Sequence, residues 1–198
     1  MAGDGDWTYI SSGQNRAFAL KEDGTIHSLE NVAVQDSGHI QYEWLALNGH
    51  LKNVSLHRGV AWGVYETNTI WRGDVEMARR SVLENFAYSW AQIDNDLDIA
   101  QVEIGEFGVF GTTENGDVYY RVGTHRNPGS AGTRWQLLNG KLSHVTSGFN
   151  NAYGVSSDGL AWQMKPNSFN DETGEFEHES GALWTQYGDK TGGYISAL

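Results

Sequence analysis

Apolar and polar residues alternate along short stretches of this chain, and no stretch sustains the three-to-four-residue spacing of a long helix. Residues 117–122, DVYYRV, are one example: Val118 and Tyr120 fall on one side of an extended strand, Tyr119 and Arg121 on the other. Val and Tyr favour strands, and the Asn115-Gly116 pair just before them marks a hairpin turn. The pattern therefore predicts many short strands joined by tight turns.

The stretches repeat. Aligned on Ile10, Val54, Val102 and Val145, four segments run without a gap: ISSGQNRAFALKEDGTIHS, VSLHRGVAWGVYETNTIWR, VEIGEFGVFGTTENGDVYY and VTSGFNNAYGVSSDGLAWQ. The steps between anchors are 44, 48 and 43 residues, a period typical of propeller blades. Eight residues past each anchor stands an aromatic (Phe18, Trp62, Phe110, Tyr153), followed by Ala19, Gly63, Gly111 or Gly154. A ring followed by a small residue suits a strand packed closely against its neighbour. Fourteen past the anchor come Gly24, Asn68, Gly116 and Gly159. These are residue types that tolerate positive φ, so EDG, ETN, ENG and SDG read as four versions of one hairpin turn.

A Trp column precedes the anchors: Trp44, Trp90, Trp135 and Trp184. Two of these open similar phrases, WLALNGHL and WQLLNGKL, in which Asn-Gly joins the Trp strand to the next anchor strand. Each unit then has four short strands, and four-stranded units stacked radially make a propeller. The expected fold is all-β: one β-propeller domain over residues 1–198, with antiparallel four-stranded blades at about 7–53, 54–98, 99–141 and 142–198. Four blades are expected, with five possible. Of the linkers, 75–87 is expected to form a helical turn or two, and the polar, acidic stretch 165–182 a solvated loop. GGYISAL (192–198) resembles the anchor strand WTYISSG (7–13). It either latches a closed ring or adds to a neighbouring chain, and a closed four-bladed monomer is the preferred expectation.

Composition narrows the partners. Thirteen basic residues face 25 acidic ones, a net charge of −12. Nucleic-acid affinity rests largely on neutralising phosphates with Lys and Arg, and anionic membranes also attract basic segments. Both partners are disfavoured, and a neutral or cationic ligand fits better. There is no cysteine, so disulfide and thiolate chemistry is excluded. With no basic or apolar leader at the N-terminus, a cytoplasmic location is expected, a secreted form remaining open if a leader was removed. No stretch has the length and apolarity of a membrane span.

The repeat phrases resemble the tectonin (tachylectin-1-like) family. WQLLNGKLSHVTSG (135–148), NAYGVSSDGLAW (151–162), AWGVYETNTIWR (61–72) and ENGDVYYRVG (114–123) carry the resemblance. The first copy departs most, with His27 and Ser28 in place of the aromatic-polar pair and Trp7 in place of a leucine. The resemblance implies a carbohydrate-binding propeller without catalysis, its partners the glycans of glycoproteins, glycolipids or microbial surfaces, in defence or cell-surface recognition. A monomer or small homo-oligomer is expected. Tectonin units also build intracellular protein-interaction scaffolds, the alternative reading.

Candidate ligand residues come from the strand after each hairpin turn. The column His27, Trp71, Tyr119, Trp162 keeps a ring in every copy. Such rings either pack adjacent blades or form the apolar floor of a sugar site. Sugars lay C–H faces on aromatic rings while their hydroxyls need donors and acceptors. The candidate set is Trp71, Tyr119 and Trp162, with Arg72, Arg121, Gln163, Asn48 and Asn139 as polar partners. Trp71 with Arg72 and Tyr119 with Arg121 look the richest sets. The Trp column is read as framework, an exposed indole edge still being able to reach a groove. DNDLD (94–98) lacks the Gly and distal Glu of a calcium loop, and His178 among Glu175, Glu177 and Glu179 reads as an exposed charged loop. No metal site, cofactor or catalytic motif is expected: there is no GxSxG, no P-loop and no HExxH.

Overall fold

The structure is a computed structural model that describes residues 6–13, 16–34, 38, 40–85, 87–93, 96–177 and 183–190. It contains four antiparallel four-stranded sheets. Blade 1 comprises β1 (Trp7–Gly13), β2 (Arg16–Lys21), β3 (Thr25–Val34) and β4 (Ile40–His50). Blade 2 comprises β5 (Asn53–His57), β6 (Val60–Val64), β7 (Ile70–Asp74) and β8 (Ala91–Ile93), with helix α1 (Val75–Leu83) between β7 and β8. Blade 3 comprises β9 (Ile99–Gly105), β10 (Gly108–Thr113), β11 (Asp117–Arg121) and β12 (Trp135–Lys141). Blade 4 comprises β13 (His144–Ser147), β14 (Ala152–Val155), β15 (Leu160–Met164) and β18 (Trp184–Lys190), the last reached through a small hairpin, β16 (Phe169–Asn170) and β17 (Glu175–Phe176).

Local chemistry explains the hairpins. Gly24, Asn68, Gly116 and Gly159 all hold positive φ, at 81°, 61°, 80° and 81°. Each also donates its N–H to the carbonyl three residues earlier. The expected turn column is therefore one conformation repeated four times, and Asn68 is the one non-glycine residue that adopts it.

The first strand of each blade is the innermost: β1 packs on β5, β5 on β9, and β9 on β13. Between successive blades lie three apolar cores. The face of each blade turned to the next one, here its back, supplies the ring column: Phe18, Trp62 and Phe110 are fully buried. The following blade offers its front: the anchors Val54, Val102 and Val145, fully buried, and the rings Trp71, Tyr119 and Trp162, half-buried. Small residues allow the approach. A Cβ on Gly63 would come within 2.4 Å of Leu51 Cδ1, and one on Gly154 within 2.4 Å of Leu142 Cδ1.

The inner strands are tied by side chains that satisfy their neighbours' free edge. The Leu56 N–H donates to Ser11 Oγ and the Ile104 N–H to Ser55 Oγ, both at 3.1 Å, and the Val102 N–H donates to Asn53 Oδ1 at 2.8 Å. Ser11 and Ser55 occupy the same repeat position, so the bond recurs from blade to blade and supplies acceptors that an unpaired strand edge lacks.

Among the described residues β13 and β1 do not pack in the way the other inner strands do, so these residues form an arc of four blades. The stretch 192–198, expected to close the ring, lies outside the described residues.

Two linker expectations meet the structure differently. Residues 75–83 are helical: Asp74 caps the helix by accepting from the Met77 N–H at 2.7 Å, and Val75 and Ala78 join the core between blades 1 and 2. The described part of 165–182 is largely exposed, at 165–167, 171–173 and 177, as expected, but it folds into a small hairpin that buries one ring rather than running as a plain loop. Phe169 and Phe176 pair across β16–β17, and Phe176 is buried against Tyr120 and Phe107 in the core between blades 3 and 4. Two phenylalanines outweigh the surrounding acids because each buries a large apolar area while the carboxylates stay in water. Residues 178–182 lie outside the described residues.

Candidate functional site

On the rim that carries the hairpin turns, the joints following the Trp strands meet the turns directly. The Leu51 N–H donates to Gly24 O and the Leu142 N–H to Gly116 O, both at 2.9 Å. Between blades 1 and 2 this rim opens into a groove of about 370 Å³. Asn48, Gly49 and His50 border it from the blade 1 joint; Tyr65, Trp71 and Trp90 border it from blade 2. Ile26 and Leu51 form part of its floor, and Tyr88 and Ser89 complete the lining.

Each side chain has a structural reason to be there. Trp71 lies on the front of β7, facing blade 1, and its indole N–H donates to Thr69 Oγ1 at 3.1 Å, which fixes the ring. Gly49 has φ 112°, a backbone conformation that favours glycine, and its Cα lies beside the Trp90 indole and the Ile26 side chain. At the interface between blades 3 and 4 the matching Gly140, φ 121°, lies closer to its indole: a Cβ there would come within 2.7 Å of Trp184 Cδ1. The Tyr88 hydroxyl accepts from the Asp74 N–H at 2.6 Å, anchoring the linker beside helix α1. Tyr65 leaves β6 at the turn and is about one-third exposed, and Asn48 and His50 are exposed. The groove thus joins several aromatic surfaces to an amide, an imidazole and a hydroxyl, a mixture suited to a small ligand with apolar faces and polar edges.

Of the residues expected from the sequence, Asn48 and Trp71 line this one groove. Asn139, exposed, and Trp162, half-buried with its indole N–H donating to Ser156 Oγ at 2.9 Å, hold the corresponding positions in blades 3 and 4. Tyr119 packs in the core between blades 2 and 3, and residues 94–95 of the matching joint lie outside the described residues. Arg121 is buried: its Nε donates to Ala131 O at 2.9 Å, and the guanidinium sits 5.5 Å from the centre of the Trp135 ring.

Trp71 and Arg72 do not form one set. Strand alternation puts Arg72 on the opposite, back face of β7, where it donates to Gly129 O of the blade 3 linker. Gln163 stands likewise on the back of blade 4, donating to the Tyr153 hydroxyl at 3.4 Å. His27, the blade 1 counterpart of Trp71, is buried against Trp7, their rings 5.1 Å apart, and burial lowers its pKa.

Residues that the sequence reading missed are Tyr65, Tyr88, Ser89 and His50. Tyr65 was findable: eleven residues past the anchor the other copies have Lys21, Thr113 and Ser156, so one copy alone places a ring at the turn. Trp90, read as framework, exposes an edge to the groove. Among the described residues no group of His, Asp and Glu is arranged to hold a metal ion, and no helix is long and apolar enough to cross a membrane. Of the two acidic clusters, residues 94–95 and 178–179 fall outside the described residues.

Comparison with solved structures places the fold. Human WBSCR16 superposes with a TM-score of 0.57 at 13% identity, over 83% of this chain and 49% of that one. Prp20p from Saccharomyces cerevisiae gives 0.56 at 13% identity, over 96% and 52%. Kluyvelomyces marxianus Hsv2 gives 0.51 at 10% identity, over 87% and 52%. The chain thus spans about half the length of these structures, and at such identities the likeness concerns the fold. Among curated proteins none matches the sequence. The tectonin domain matches residues 4–194, which takes in all four sheets, their shared turn column and the three cores between them: the chain belongs to the tectonin family, on a β-propeller fold.

Proposed function

We propose that this tectonin propeller binds carbohydrate without catalysing its conversion, and that the groove between blades 1 and 2 is its principal site. The observation that carries the reading is the juxtaposition in one groove of Trp71 and Tyr65 with the exposed polar groups of Asn48 and His50. A pyranose lays its C–H face on an aromatic ring and directs its hydroxyls to the amide, the imidazole and Ser89. The net charge of −12 favours neutral or cationic glycans over sialylated or sulfated ones. Asn139 and Trp162 hold the matching positions between blades 3 and 4 and sketch a second, weaker site there, without a counterpart of Tyr65. Two sites on one rim raise avidity toward a glycan-coated surface by effective concentration. Recognition of such surfaces, in defence or between cells, is the role this arrangement serves.

A glycan array tests the reading. Binding to a coherent set of neutral glycans, abolished by Trp71→Ala in a protein that still folds, supports it. Failure to bind any glycan, with protein partners retained, replaces it with the interaction-scaffold reading.

A further inference from the structure

Among the described residues, three repeat columns show two faces that blade-to-blade packing leaves exposed, one on blade 1 and one on blade 4. The anchors Val54, Val102 and Val145 are fully buried, yet Ile10 at the same position is 62% exposed. Leu51, Ile99 and Leu142 are buried three residues before their anchors, yet Trp7 is 37% exposed. Both exposed residues lie on the front of blade 1. With Trp44 and Ala19 they line a groove of about 550 Å³, and the Trp44 ring lies 5.1 Å from that of Trp7, tilted at 39°. At the other end, Leu47, Ile93 and Leu138 are buried three residues past the Trp of their blades, yet Tyr187 of blade 4 is 59% exposed. Tyr187 lies on the back of blade 4, its ring 6.2 Å from half-buried Tyr153, the counterpart of buried Phe18, Trp62 and Phe110.

The chain itself shows what covers such faces. Three times over, the back of one blade seats on the front of the next, anchor and Trp columns against ring column. The exposed front of blade 1 has the chemistry that accepts a blade's back, and the outer back of blade 4 has the chemistry that seats on a front. The propellers this arc superposes on are about twice its length, so a ring of this curvature has room for more blades.

We propose that two copies of this chain associate head to tail. The outer back face of blade 4 of one copy, through Tyr187 and Tyr153, docks on the Trp7–Ile10–Trp44 face of blade 1 of another and repeats the internal blade-to-blade interface. The contact is heterologous: different patches meet, so association closes a ring if the rotation allows and otherwise extends. It is independent of the carbohydrate reading.

Sedimentation velocity of the full chain and of two surface variants, Ile10→Glu and Tyr187→Glu, decides the matter. Both positions are exposed, so each variant folds, with circular dichroism as the check. The wild type is expected to self-associate with rising concentration, and each variant alone to stay monomeric. Mixed one to one, the variants are expected to form a dimer and nothing larger, because one keeps a working back and the other a working front. A wild type that stays monomeric at about 100 μM overturns the proposal, as further blades in a longer chain or a different protein would then cover these faces. Self-association unaffected by one or both substitutions, or a mixture that forms no dimer, overturns it equally.

Discussion

Tyr9 on blade 1 donates its hydroxyl hydrogen to Oε1 of Glu103 on blade 3 at 2.9 Å, reaching past blade 2, whose Ser55 donates to Oε2 of the same carboxylate at 2.9 Å. Three inner strands thus meet at one side chain. Burial pushes the Glu103 carboxyl up to about 7, and the hydrogen bonds from Tyr9, Ser55 and Gln101 only partly offset it.

The sign of that shift fixes a pH dependence. The folded state holds the Glu103 proton more tightly than the unfolded chain does. Its contribution is therefore fully present below about pH 4.5 and is lost as pH rises to about 7. Glu103→Gln keeps the polar contacts and removes the titration. Urea unfolding at steps between pH 4.5 and 7.5 is expected to show the wild type losing roughly 1–3 kcal/mol relative to the variant over this window. Parallel curves would contradict the assignment.

Close approach of inner strands depends on Gly105. A Cβ there would lie 2.0 Å from Ser147 O, a backbone atom that cannot swing aside. Gly105→Ala is expected to cost about 3 kcal/mol, at the upper end of overpacking. Gly59→Ala is the control. Gly59 has φ 79° and open space around it, so only the left-handed backbone is penalised, by about 1 kcal/mol. Denaturant midpoints of the two variants check the order.

Phe176 is the lid of the core between blades 3 and 4, its ring 4.8 Å from Tyr120, 5.1 Å from Phe169 and 5.7 Å from Phe107. Phe176→Ala is expected to lose roughly 3–5 kcal/mol. Glycan binding per folded molecule at the groove between blades 1 and 2 is expected to stay unchanged, since that groove shares no residue with this core.

The four hairpin turns were legible in the sequence because positive φ is a local demand that Gly and Asn meet at one fixed column. The blades were legible because the apolar columns recur with them. What escaped depends on neighbours. Ile10 reads like Val54, but one faces solvent and the other a blade, and no local signal separates them. Phe176 sits among acids, and only the fold shows that blade 3 offers it a pocket. Strand parity already separated Trp71 from Arg72; grouping them by adjacency overlooked it. Tyr65 was visible only as the odd member of its column.

The groove's binding role is tested most directly by titration calorimetry with the tightest glycan from an array, using wild type, Tyr65→Ala and Asn48→Ala. Both side chains are at the surface and outside the three cores, so melting temperatures are expected to stay within a few degrees of wild type. Affinity is expected to fall by about tenfold or more in each variant, the loss of one anchoring contact worth about 1.4 kcal/mol. Unchanged affinity in both variants, with folding intact, would contradict the placement of the site in the groove between blades 1 and 2.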